Sequence, residues 1–118
     1  MVFRGIDMIP DFEVAFDYWL SKCREIVQAD GRGERGYDLT CTEGRKYMKV
    51  IMTIQPSNPI HNVQRSSWAF IDKTNGDVLK CASWERPAKH SRGNLMDEFD
   101  GLQFIQWTGP MYLGTIKG

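Results

Sequence analysis

The chain has 118 residues, 42% of them hydrophobic, and sets fifteen Lys plus Arg against fifteen Asp plus Glu. A chain of this length buries about two-thirds of its unfolded surface, so residues 1–118 are read as a single domain that needs no disulfide or metal to fold. The apolar content excludes disorder, no apolar run reaches membrane-spanning length, and a net charge of zero argues against a general nucleic-acid coat, leaving any anion site to be local.

In chain order, Met1 to Asp7 holds no apolar core of signal-peptide length, so the protein is expected to stay in the compartment where it is made. Pro10-Asp11 then opens a helix, with Asp11 as the expected N-cap. Phe12, Phe16, Trp19, Leu20, Cys23, Ile26 and Val27 recur at helical spacing as one apolar stripe, and Asp17, Ser21, Arg24 and Gln28 lie opposite. Arg24 is therefore expected at the surface. Gly31-Arg32-Gly33-Glu34-Arg35-Gly36 spells G-x-G-x-x-G, but a dinucleotide fingerprint follows a strand and opens a helix. This one does the reverse and is read as a flexible helix exit.

Beyond Gly36 the period changes to two. Tyr37, Leu39 and Cys41 alternate with polar residues, Glu43-Gly44 offers a turn, and Met48, Val50, Met52 and Ile54 alternate with Tyr47, Lys49, Ile51 and Thr53. Gln55 to Arg65, with two prolines and two asparagines, is a polar loop whose His61 has no second ligand at metal spacing. Residues 67–71 and 78–82 flank Asn75-Gly76, whose positive φ preference suits a hairpin. Leu95 to Phe99 suits a turn of helix or a tether, Gly101 to Trp107 can add a strand, and Met111-Tyr112-Leu113 is short and apolar. The fold class expected is α+β, an N-terminal helix packed on an antiparallel β-sheet of about five strands. Cys23, Cys41 and Cys81 are odd in number and lack a C-x-x-C, which points to reduced, buried thiols in a cytosolic protein and to no metal site.

The chemistry concentrates in Ala82 to Asn94, read as a loop leaving a strand. It carries Trp84, the cations Arg86, Lys89 and Arg92, His90, Pro87, Gly93, Asn94 and a single acid, Glu85. A ring beside cations suits a ligand with a flat base and phosphates.

Lys73 to Trp84, followed by Pro87-Ala88-Lys89 and Arg92-Gly93-Asn94, with Arg45 to Val50 upstream, resembles the phage-encoded anti-Thoeris sponges. These sequester the cyclic ADP-ribose signal of a bacterial immune system, and some also hold cyclic oligonucleotides. The resemblance covers residues 45–94 and implies a viral anti-defence protein of the host bacterial cytoplasm. Such a protein binds its signal without degrading it and takes no cofactor. It further implies Trp84 against the base, Asn94 in the same pocket, Lys89 and Arg92 toward the pyrophosphate, and Arg24 as the helix arginine that grips cyclic oligonucleotides. Cys81 and Arg86 depart from the family's pattern.

Energetics bear on the assembly. Nanomolar binding needs about 12 kcal/mol, whereas one stacked base supplies roughly 1–3 and a charged hydrogen bond roughly 1.5–3. A homo-oligomer, dimer or higher, is therefore expected, with a second subunit closing the pocket. Two rivals remain, of which the first uses the same aromatics and cations. One is a small phage single-stranded nucleic-acid-binding protein. The other is an enzyme using His90 as general base, oriented by Asp97 or Glu98.

Overall fold

In the computed structural model, residues 8–112 are described; residues 1–7, with the signal-peptide expectation, and residue 113 of the last apolar segment lie outside that range. The apolar stripe forms helix α1, Phe12–Gln28, and buries Phe12, Phe16, Trp19, Leu20, Cys23 and Val27. Its start differs from the expectation. Asp11 has φ 61° and makes no side-chain cap bond, so the first turn is held by backbone, including Ala15 N–H to the Asp11 carbonyl at 3.0 Å. At the other end Arg32 turns back and donates to the carbonyls of Val27 at 2.8 Å and Ile26 at 3.0 Å. The glycine-rich exit thus supplies the cap that the end of a helix requires.

Five strands follow as an antiparallel meander in the order β1-β2-β3-β4-β5: β1 Tyr37–Glu43, β2 Tyr47–Ile54, β3 Gln64–Asp72, β4 Asp77–Cys81 and β5 Pro87–Asn94. The α+β expectation holds. The Asn75-Gly76 hairpin joins β3 to β4, with Gly76 at φ 84° donating to the Asp72 carbonyl at 2.8 Å. The stretch expected as one loop from Ala82 to Asn94 is different: only residues 82–86 are loop, and the rest returns as β5. Pro87 opens that strand, Gly93 sits at φ 141°, and the pairing with β4 shifts register twice. Pro, Gly and bulges are tolerated at a sheet edge, and they hid this strand from a propensity reading.

One face of the sheet is covered. Leu39, Met48, Val50, Ala69, Ile71 and Val78 form the core with α1, joined by the short strands β6 Ile105–Gln106 and β7 Gly109–Pro110. The Trp19 indole N–H donates to the Gly101 carbonyl at 3.0 Å and that of Trp68 to the Trp107 carbonyl at 2.9 Å. These bonds pin the C-terminal segment beside the helix. Beneath the strand ends, Lys73, with 0% exposure, donates to Glu43 Oε2 at 3.0 Å and to the Gly44 carbonyl at 2.7 Å, tying the β1–β2 turn to the β3–β4 turn.

A bulge in β3 decides what reaches the other face. Val50 pairs with Ala69 and Ile51 with Ser67, leaving Trp68 as the extra residue. Counting back from the outward Phe70 by strict alternation would turn Trp68 outward and Arg65 inward. The extra residue resets the count, so Trp68 enters the core while Ser67 and Arg65 join the outer face.

Candidate functional site

The outer face carries a row of paired residues, Thr42, Lys49, Phe70, Leu79 and Ser91, running across all five strands. The 82–86 loop folds back over this face. The Trp84 carbonyl accepts from Lys49 Nζ and from Ser67 Oγ at 3.4 Å, which sets the indole above β2 and β3 with 47% of its surface exposed. The Lys49 ammonium lies 3.4 Å from the centroid of that ring and 5.6 Å from the Phe70 ring. Tyr47 meets Phe70 edge-on at 5.8 Å. These three rings and the Lys49 ammonium between them help line an open cleft of about 450 Å³.

The charge of the cleft is lopsided. Arg45, Lys46, Lys49 and Arg65 line it against Glu43 and Glu85, and the Glu43 carboxylate is engaged by Lys73. Lys46 is 3.8 Å from Asp72 and 5.4 Å from the Tyr47 ring. Among the described residues, the Arg45 and Arg65 guanidinium groups have no hydrogen bond, ion pair or ring contact, so both keep their donor forks for an incoming anion. Flat faces for a base and cations for phosphates thus meet in one place. A larger opening of about 620 Å³ lies between Glu34 and Ser57. It offers a base one ring, Tyr37, against the three of the sheet face.

Of the five residues expected in the site, Trp84 alone lines this cleft. Lys89 is exposed on β5. Arg92, with 6% exposure, donates to the carbonyls of Met111 at 3.2 Å and His90, so its guanidinium anchors the C-terminal segment. Asn94 gives its amide to the Asn75 carbonyl at 2.7 Å and Asp77 Oδ1 at 3.0 Å, and receives the Met96 N–H at 2.8 Å, closing the β4–β5 edge. Arg24 donates to the Leu39 carbonyl at 3.2 Å and lies 3.5 Å from Asp38 Oδ1. With Gln28, which donates to the Tyr37 carbonyl at 3.2 Å, it shields the outer edge of β1 from pairing with another strand.

Among the described residues, neither Asp97 nor Glu98 makes a hydrogen bond or ion pair with His90. Asp97 spends its carboxylate on the N–H groups of Asn94, Phe99 and Gly101 at 3.0, 2.9 and 2.9 Å; burial pushes its pKa up, but these bonds outweigh it and hold the group low. The cysteines are free, Cys23 buried and the other two half-buried. Burial raises all three thiols, for Cys41 against the nearby Arg24 and for Cys81 against a Ser67 hydrogen bond and the Lys49 and Lys80 cations. Thiols held protonated in this way are poor nucleophiles.

Sequence reasoning missed Tyr47, Lys49, Phe70, Arg45 and Arg65 as a group. The alternation in β2 already put Tyr47 and Lys49 on one face, but Phe70 joins them through register, and Arg65 through the bulge.

No group of three or more His, Cys, Asp or Glu among the described residues is placed to hold a metal ion, and no helix there is long and apolar enough to cross a membrane. Neither the curated proteins nor the solved structures include a match to the chain. Residues 13–113 match a family of unknown function, DUF7717, and the chain belongs to that family.

Proposed function

We propose that the protein binds a nucleotide on the open face of its sheet and releases it unchanged. The base stacks on Trp84 and the phosphates take Lys49 and an arginine at the cleft's rim. The observation that carries this reading is the exposed indole held beside Lys49, Phe70 and Tyr47 in a cleft with two unengaged guanidinium groups. A cyclic ADP-ribose-type immune signal, the ligand of the phage sponges that residues 45–94 resemble, has the required base and pyrophosphate. In this reading the protein is a viral anti-defence sponge acting in the host bacterial cytoplasm, with the site shifted from Lys89, Arg92 and Asn94 to the sheet face.

One stack at roughly 1–3 kcal/mol and two or three charged contacts at roughly 1.5–3 each come to about 4–12 kcal/mol, before an association cost of about 4–15. A single open face therefore falls short of nanomolar affinity, and a second copy of the chain over the cleft completes the site. Calorimetric titration with cyclic ADP-ribose isomers, followed by denaturation and mass spectrometry, tests the proposal. Binding that drops at least tenfold in Trp84→Ala, with the ligand recovered intact, supports it. A changed ligand mass indicates an enzyme, and equal binding by Trp84→Ala places the pocket elsewhere.

A further inference from the structure

The two unengaged arginines lie at opposite ends of the cleft. Arg45 precedes β2 at the Tyr47 end, and Arg65 pairs with Thr53 near the other. Tyr47 and Thr53 are six residues apart on one extended strand, a backbone span of about 20 Å. Lys49, Phe70 and Trp84 occupy the middle. Cation, rings and cation thus follow one another along a single groove, and all of these residues line the same opening. A mononucleotide, whose phosphate is one ribose away from its base, reaches the rings and one rim only.

On the reading that the cleft binds nucleotides, we infer that its fitted ligand is a short linear single-stranded oligonucleotide, with one phosphate at Arg45 and Lys46, bases on the central rings and a further phosphate at Arg65. Lys46 is already drawn toward Asp72 at 3.8 Å, so Arg45 is the stronger donor at its end. The neutral net charge agrees with a short ligand, since a continuous track along a long strand needs a basic excess.

The probes are adenosine 5′-monophosphate and the linear 5′-phosphorylated di- and triadenylates, titrated by calorimetry into the full chain, Arg65→Gln and Trp84→Ala at several salt concentrations. The inference expects affinity to rise at least tenfold from mono- to trinucleotide, with a salt slope steeper by about 0.7 for each added phosphate contact. Arg65→Gln removes most of that gain, so the trinucleotide loses more affinity than the mononucleotide does. Equal affinity for all three lengths, or an Arg65→Gln variant that follows the wild type at every length, overturns the inference while Trp84-dependent binding stands. If no probe binds, and cyclic ADP-ribose does not bind either, both the inference and the nucleotide reading fall.

Discussion

The ammonium of Lys49 rests 3.4 Å from the centroid of the Trp84 ring and donates to the same residue's carbonyl. One side chain therefore does two jobs: it fixes the 82–86 loop over the sheet, and it covers one face of the indole. An exposed cation–π contact is worth about 0.5–1 kcal/mol, less than the roughly 1–3 kcal/mol of a base–aromatic stack. A base can displace the ammonium and free it for a phosphate. Lys49→Met, which keeps the alkyl stem and removes the charge, should weaken nucleotide binding about tenfold in low salt, and the deficit should shrink as salt rises. Isothermal titration at two ionic strengths reads it.

Replacing the indole separates stacking from size. Trp84→Phe retains a π-face and should stay within about threefold of wild type, whereas Trp84→Ala should lose at least tenfold, the scale of 1.4 kcal/mol. Both should melt within a few degrees of wild type, because the ring is 47% exposed. A shared large drop in Tm would mean that Trp84 holds the fold instead.

Arg92 and Asn94 should behave oppositely. Their side-chain hydrogen bonds run inside the protein, to Met111, His90, Asn75, Asp77 and Met96. Asn94→Ala should cost about 1–3 kcal/mol of stability, the penalty for leaving its partners unsatisfied, and leave the affinity of the folded fraction unchanged. Denaturant unfolding alongside titration measures both.

Lys73 offers the strongest stability prediction. Its ammonium is fully buried and donates to Glu43 and the Gly44 carbonyl, so Glu43→Ala removes one charged hydrogen bond and should cost about 1.5–3 kcal/mol. Lys73→Met with Glu43→Leu removes both charges and should recover much of that loss. Thermal denaturation of the two variants distinguishes the outcomes.

Asp97 predicts a pH dependence. Its pKa is held below the ordinary 3.8, so its contribution is fully present above that value and is lost as pH falls through the lower folded-state value. Asp97→Asn should therefore be less stable than wild type at pH 7, by about 1–3 kcal/mol for the weakened bonds, and the gap should narrow below pH 3.8. Urea midpoints measured between pH 2 and 7 show whether it does.

The helix, the β2 alternation and the Asn75-Gly76 hairpin were legible because each has a local cause: an apolar stripe at 3.6 spacing, a period of two, and a turn residue free to take positive φ. Of the candidate cleft, only the indole was legible. Arg92 looks like a ligand cation beside Trp84 in the chain, but the return of residues 87–94 as β5 turns its guanidinium to the C-terminal segment. Arg65 looks like a loop residue, and only the unpaired Trp68 turns it outward. Both depend on which strand pairs with which, a property that no window of sequence contains. Lys73, beside the Asn75-Gly76 turn in the chain, is buried for the same reason.

The most direct test is to follow the indole and amide NMR signals of labelled protein as cyclic ADP-ribose or triadenylate is added. Ligand on the open face should shift the Trp84 indole N–H and the amides of Lys49, Phe70 and Arg65. The Trp19 and Trp68 indoles, bonded to backbone on the covered face, should stay in place. Shifts centred on Trp19, Trp68 or the helix, with Trp84 unmoved under saturating ligand, would contradict a binding site on this sheet.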